Sequence, residues 1–364
     1  MNYICSKCGH QEDTGARKAQ CDCGGLWDLD YHPPKFDLSL VDSGTWSLFR
    51  YRAFMPLAGE TWKSVSMGEG MSPVIRLDED VLLKMEYYMP TLSFKDRGAA
   101  VLITHCKTIG VESVVQDSSG NAGNSVAAYC GRSGIGCEIF VPEGTSPKKI
   151  AMIKAHGAAV NVVPGSRDNC ADVCRAKMKA KNIYYANHVY NPFFYEGTKT
   201  YIYETYEQLR RIPENIFVPL GNGTLFIGIV KGLEHLLESG VISRMPKIIA
   251  VQGERCDPFA RAVSVHAPHP QKVSPAHTLA EGIAIGEPMR GDEILRMIYR
   301  HNVEVITAPE DGILPAREQL ATKGVYCEHT TAATYAAYLE YRKGKGNLTD
   351  CLIPMCGAGL KSDK

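Results

Sequence analysis

The sequence predicts an α/β protein of two domains, each built on a doubly wound parallel sheet with helices on both faces, preceded by a small cysteine-rich arm. Three observations carry this reading. Short apolar runs rich in Val and Ile alternate with helical stretches across glycine or proline turns: VESVVQD (111–117), CEIFVPEG (137–144), AAVNVVPG (158–165), NIFVPLG (215–221), KIIAVQG (247–253) and VEVITAP (303–309). Runs that are apolar at nearly every position suit strands buried on both faces, and their alternation with helices suits parallel crossovers. Four of the thirteen cysteines fall within the first 23 residues. At 364 residues and 45% hydrophobic content the chain can bury a large core and is long enough for two domains.

The arm comes first. Cys5 and Cys8 form a CxxC pair, and Cys21 and Cys23 a CxC pair, with twelve residues between the pairs. Four thiolates at that spacing can close a tetrahedral zinc site, with His10 as an alternative ligand; the other reading is four reduced cysteines in a small arm. Such a zinc has no open position, so its work is to fold some thirty residues that lack a core of their own. HPPKFD (32–37) ends the arm, because two prolines in a polar setting stop whatever precedes them. We therefore expect an arm over 1–32, an N-terminal α/β domain over 33–200 and a C-terminal one over 201–364.

Three turns at the carboxyl ends of strands carry the chemistry. In TLSFKDRGAA (91–100), Ser93 and Asp96 form a capping-box pattern ahead of an alanine-rich helix, yet Lys95 sits in the first turn, where the helix dipole disfavours an ammonium. In QDSSGNAGNSVAAYCGRSG (116–134), a loop offers the hydroxyls of Ser118 and Ser119, the backbone at Gly120 and the amide of Asn121 before a helix over about 122–132. In VPLGNGTLFIG (218–228), Gly221, Asn222, Gly223 and Thr224 open an amphipathic helix; glycines there let backbone N–H groups approach a phosphate. No GK[ST] follows and the spacing is not GxGxxG, which disfavours nucleotides. A phosphate cradle, a polar loop and a first-turn lysine together suit an aldehyde bearing a phosphate, held through an imine to the lysine.

SFKDRGAA, SSGNAGNSVAAY, the Gly-Asn-Gly-Thr loop and IPMCGAGLK (353–361) resemble, in order from about Gly68 to Lys361, the tryptophan-synthase-β-like (fold-type II) pyridoxal phosphate enzymes, and within them the threonine-synthase-like group. The arm resembles the zinc-ribbon extension of some of that group. The resemblance implies the fold of tryptophan synthase β and a homodimer. It implies that Lys95 forms the internal aldimine and acts as acid and base at Cα. Asn121 then bonds the cofactor's phenolic oxygen; Gly221, Asn222, Gly223, Thr224 and Leu225 cradle its phosphate; and Ser118, Ser119 and Gly120 hold the substrate carboxylate. Cys356 stands where relatives carry threonine or cysteine facing the pyridine nitrogen; its other reading is a small buried hydrophobe.

The chain departs from the group at three places. His188, Phe194 and Ala122 stand where relatives usually carry serine, arginine and threonine around a substrate phosphate. A lost charged hydrogen bond costs about 2–3 kcal/mol. His188 binds a smaller anion on one reading and is a satisfied core histidine on the other. The expected function is a threonine-synthase-like lyase acting on a small L-amino acid by α-proton removal and elimination or replacement of a β or γ substituent. The alternatives are a serine/threonine ammonia-lyase or a β-replacement synthase using an activated serine, and, in another class, a non-catalytic cofactor-binding or zinc-ribbon interaction protein.

Composition bounds the partners. Forty basic residues balance forty acidic ones, so no global field recruits nucleic acid or anionic membrane. MNYICSKCGH lacks the apolar core of a signal peptide, and no apolar run is long enough to cross a bilayer. An odd number of scattered cysteines argues for thiols and metal ligands. The expectation is a cytoplasmic enzyme without nucleic-acid or membrane partners.

Overall fold

Each of the six apolar runs forms a strand in the computed structural model, and every pairing among them is parallel. The structure describes residues 1–345 and 348–362. In chain order the strands are β1 (Asn2–Cys5), β2 (Gln11–Asp13), β3 (Trp27–Asp30), β4 (Val74–Arg76), β5 (Val81–Lys84), β6 (Ser113–Gln116), β7 (Gly136–Pro142), β8 (Ala159–Val163), β9 (Tyr184–Tyr185), β10 (Asn215–Pro219), β11 (Lys247–Gly253), β12 (Glu304–Ala308) and β13 (Cys351–Pro354). The helices are α1 (Lys95–Thr108), α2 (Asn121–Ser133), α3 (Pro147–Ala155), α4 (Arg167–Lys181), α5 (Pro192–Leu209), α6 (Thr224–Glu238), α7 (Pro258–Ser264), α8 (Gly291–Arg300), α9 (Ile313–Thr322) and α10 (His329–Lys345).

One unit comprises Met1–Gly70 and Lys95–Thr198. It contains a four-stranded parallel sheet in the order β8-β7-β6-β9 and the arm's antiparallel sheet in the order β2-β1-β3. The arm is docked rather than free. Tyr3 stacks on Trp27 with ring centroids 5.7 Å apart, and its hydroxyl lies 3.4 Å from Nε2 of His105 on α1. Leu26 joins the apolar cluster of Val115, Phe140 and Tyr185. Burial pushes the His105 imidazole down to about 4, so a neutral ring stacks on Phe193 at 3.7 Å.

The other unit comprises Met71–Phe94 and Lys199–Lys364. Its six-stranded sheet runs β12-β11-β10-β13-β5-β4, parallel except for β4 at the edge. Residues 71–94, expected in the N-terminal domain, therefore supply two strands to the second sheet, with Val81 opposite Cys351. VLLK and CLIP are too short to show a period, and each is buried at all four positions, so neither displays the alternation that flags a strand. Lys84 ends β5 in a fully buried ion pair, its Nζ 2.5 Å from Glu204 Oε1. Leaving either partner alone there would strand a buried charge.

In the first unit, Glu69 is fully buried and accepts hydrogen bonds from the Ser66 hydroxyl (2.9 Å), the Met67 N–H (2.8 Å) and the Tyr129 hydroxyl (3.0 Å). Burial outweighs these bonds and pushes the carboxyl up to about 7 from 4.5. A raised native value favours the neutral form, so the stability this group contributes is complete below about pH 4.5 and is lost as pH rises through 7. Unfolding by urea at pH 5 and pH 8 should show a fall of up to about 3 kcal/mol at this site, absent from Glu69→Gln.

Candidate active site

α1 begins at Lys95, as the sequence reading requires, but without the capping box expected of Ser93 and Asp96. The Ser93 backbone is held in a bridge to Gly357, and the Phe94 N–H donates to the Cys356 carbonyl at 3.0 Å. The chain thus enters the helix from a pinned extended segment, and Ser93 Oγ is buried with no partner among the described residues. Asp96, fully buried, instead accepts a hydrogen bond from Ser125 Oγ, which joins α1 to α2. Lys95 is half-buried, its Nζ 5.8 Å from the centroid of the Phe194 ring.

The Ser118–Gly120 loop leaves the carboxyl end of β6 and enters α2 at Asn121, whose Gly120 N-cap supplies no side-chain bond. The first-turn N–H groups thus face outward toward the loop without a built-in acceptor. Asp117 anchors the loop, because its Oδ1 accepts hydrogen bonds from the Tyr185 hydroxyl and from Asn187 Nδ2, both at 2.7 Å. Asn187 Oδ1 in turn accepts the Val189 N–H at 2.8 Å. This chain of bonds fixes the segment that carries His188. Gly123 makes the close approach possible: a Cβ there would lie 1.8 Å from the Ser118 carbonyl oxygen.

His188 is buried, and its Nδ1 has no partner among the described residues. Burial, then the charges of Lys95 and Arg167, hold its imidazole well below the usual histidine range. The ring sits 5.7 Å from Phe194, inclined at 62°. Ala122 is buried in the first turn of α2. Lys95, His188 and Phe194 thus come together in the first unit. Asn124 belongs with them on chemical grounds and was missed: its Oδ1 is buried without a partner among the described residues. The signal was present, since three residues after Asn121 put it on the same helix face.

In the second unit, Gly221–Thr224 turns from β10 into α6, whose N-cap Gly223 has φ +75° and no side-chain cap. A Cβ on Gly223 would lie 2.4 Å from Ile294 Cδ1, and one on Gly221 2.9 Å from Ile283 Cα. Both positions therefore demand glycine, and the loop keeps its backbone bare where N–H groups leave the helix start. Asn222 is partly exposed, while Thr224 and Leu225 are buried. Cys356 follows β13, buried, in the segment that pins Ser93 and Phe94. In the second unit the bare start of α6 fits a phosphate, and in the first the buried Asn124 Oδ1 and His188 Nδ1, without partners among the described residues, fit polar substituents of a ligand.

The arm's four sulfurs lie within 4.8 Å of one another, with Cys5 to Cys23 at 3.4 Å and Cys8 to Cys21 at 3.7 Å. Zinc–sulfur bonds of about 2.3 Å in a tetrahedron put sulfurs roughly 3.8 Å apart, so the set fits that ion. The Lys7 N–H points at Cys5 Sγ at 3.4 Å, an outer-shell contact of the kind that supports thiolate ligands. His10 stays outside the group and faces Glu12 at 4.0 Å.

The comparisons agree with this chemistry. Residues 65–357 match the family model described as pyridoxal-phosphate dependent enzyme. The chain is 33% identical to a threonine synthase of Methanocaldococcus jannaschii over 92% of its own length and 86% of that protein's. It is 32% identical to a threonine synthase of Mycobacterium leprae, over 85% and 87% of the two chains. Among solved structures, a threonine deaminase isoform of Solanum lycopersicum matches with a TM-score of 0.70 at 22% identity, covering 92% of this chain and 88% of that one. A pyridoxal 5'-phosphate-dependent aspartate racemase matches with a TM-score of 0.71 at 22% identity, covering 82% and 93%. These two likenesses establish the fold, which is that of fold-type II.

Proposed function

Because this chain belongs to the pyridoxal-phosphate dependent enzymes, we propose that it is a threonine-synthase-like carbon–oxygen lyase that acts on a small L-amino acid. The observation that carries the reading is Lys95 at the start of α1, half-buried beside Phe194 and the neutral His188. When bound, pyridoxal phosphate supplies an electron sink that acidifies the Cα–H of an attached amino acid. Lys95 is the residue that takes that proton and returns one. The Ser118–Gly120 loop receives the substrate carboxylate on hydroxyls and N–H groups, and His188 contacts the substrate further out. Asn121 would hold the cofactor's phenolic oxygen, Gly221 to Leu225 its phosphate, and Cys356 its pyridine nitrogen. A thiol there cannot fully protonate the ring, which suits elimination and replacement better than transamination.

The name shared by the sequence relatives makes threonine synthase the leading named activity. A serine or threonine ammonia-lyase, or a β-replacement synthase using an activated serine, is the second reading; the uncharged surface of Phe194 and His188 favours it. Protein loaded with pyridoxal phosphate should show an absorbance band near the visible edge, and borohydride should fix the cofactor on the peptide containing Lys95. A colourless protein in excess cofactor would sink the reading.

The four arm cysteines hold a structural zinc in this proposal. Metal analysis should find about one zinc per chain, and Cys8→Ser should lose it together with several degrees of thermal midpoint. Protein without zinc, or a Cys8→Ser form that keeps both metal and midpoint, would overturn the four-cysteine site. None of the thirteen cysteines, all among the described residues, is in a disulfide, which accords with the proposed cytoplasmic location. No described helix is long and apolar enough to cross a membrane. A homodimer is the assembly that the family likeness supports. The arm over 1–32, with α/β domains over 33–200 and 201–364, stays the proposed division, apart from the 71–94 excursion.

A further inference from the structure

We propose that Asp117 is a positioning residue for the substrate carboxylate: it sets the place of the Ser118–Gly120 loop, and its own charge is turned aside onto Tyr185 and Asn187 so that the loop can receive an anion. This rests on the reading of that loop as the carboxylate receptor. Three observations within the first unit carry it.

The first is topology. The chain steps from β6 to β7 to β8 on one side and then returns to β9 on the other side of β6, and all three pairings are parallel. The strand order therefore reverses between β6 and β9, and a crevice opens beyond the carboxyl ends of such a pair. Strand pairing runs as far as Val115 with Tyr185, and the Ala186 N–H donates to the Val115 carbonyl at 3.0 Å. Beyond that point the two segments part, one into the Ser118–Gly120 loop and α2, the other toward α5. Asp117 spans the fork, because its side chain meets Tyr185 and Asn187 on the other branch.

The second is that the span is a closed triangle. Both donors converge on one oxygen, Oδ1, at 2.7 Å, and Asn187 Nδ2 also reaches the Tyr185 oxygen at 3.2 Å. Tyr185 and Asn187 are buried, and the Tyr185 ring stands edge-on to Tyr190 with centroids 5.1 Å apart, so neither donor is free to drift. Burial, and after it the Asp117 carboxylate, keep the Tyr185 hydroxyl protonated and hence a donor. The third is charge. Asp117 directly precedes the loop, so a carboxylate free to swing there would repel the one that the loop receives. Two donors on Oδ1 fix the group in one orientation and draw its charge away. An amide carbonyl oxygen also has two lone pairs and accepts both bonds, so asparagine can do at 117 what alanine cannot.

Absorbance titrations of the holoenzyme with L-threonine and with L-threoninol, which keeps the amine and side chain but has no carboxylate, test this. Asp117→Ala should weaken L-threonine by about 10-fold, leave L-threoninol within ~2-fold and keep the resting cofactor band. Asp117→Asn should bind L-threonine within ~3-fold of the wild type. Tyr185→Phe removes one of the two donors and should weaken L-threonine by about 3-fold with L-threoninol unchanged, which decides the matter if Asp117→Ala does not fold. The proposal is overturned by an alanine or Tyr185→Phe form that binds L-threonine like the wild type, by one that weakens both ligands equally or loses the cofactor band, or by an asparagine form as weak as the alanine one. A wild-type protein that binds the two ligands equally would instead overturn the reading of the loop, so the two failures are distinct.

Discussion

Lys95→Ala should lower turnover by a factor on the order of 10³ or more while leaving the fold intact. The lysine is half-buried at the first position of α1, its Nζ 5.8 Å from the centroid of the Phe194 ring. Neither the Asp96–Ser125 bond that joins α1 to α2 nor the Phe94–Cys356 bond ahead of the helix passes through its side chain. Removing the amine also removes a cation from the positive end of a helix, which is if anything stabilising. A large kinetic loss with an unchanged thermal midpoint is therefore the signature of a chemical role, and a parallel loss of both would assign Lys95 to the fold. Added methylamine should restore part of the rate, since a small free amine can occupy the vacated space.

Gly123→Ala should cost about 3 kcal/mol of stability, the upper part of the range for overpacking, and abolish substrate binding at the Ser118–Gly120 loop. The added methyl would lie 1.8 Å from the Ser118 carbonyl oxygen, a backbone atom that no rotamer change can move aside. Either α2 shifts along its axis or the loop lifts away. Lifting the loop strains Asp117, whose carboxylate ties it to Tyr185 and Asn187. Denaturant melts and substrate titrations of the same variant separate the two responses: a melt unchanged within ~0.5 kcal/mol would show that the contact relaxes without cost.

Much of this was legible in the chain, for reasons that differ by element. The six apolar runs are long enough to declare themselves, and Lys95 stands out because a cation is out of place at a helix start. The loops at Ser118 and Gly221 announce themselves by small residues between a strand and a helix. What stayed hidden is of two kinds. The short strands at Val81 and Cys351 carry no period, so the excursion of residues 71–94 into the second sheet could not be read. The other kind is pairing at a distance. Asp96 reads as half of a capping box with Ser93, but tertiary contact gives its carboxylate to Ser125 and leaves the Ser93 hydroxyl alone. Asp117, twinned with Tyr185 and Asn187 across nearly seventy residues, has no local signature at all.

The pairing of β5 with β13 bears on how the chain is made. Val81 to Lys84 leave the ribosome long before their partner strand, Cys351 to Pro354, has been synthesised. Over that interval an apolar segment, VLLK, waits without the neighbour that covers it, and such waiting edges invite association between nascent chains. Slowing synthesis lengthens that interval; a chaperone that shelters extended apolar segments covers the strand through it, and lower temperature weakens apolar association. Yield of soluble protein should therefore respond to those two conditions more than to the rate of induction.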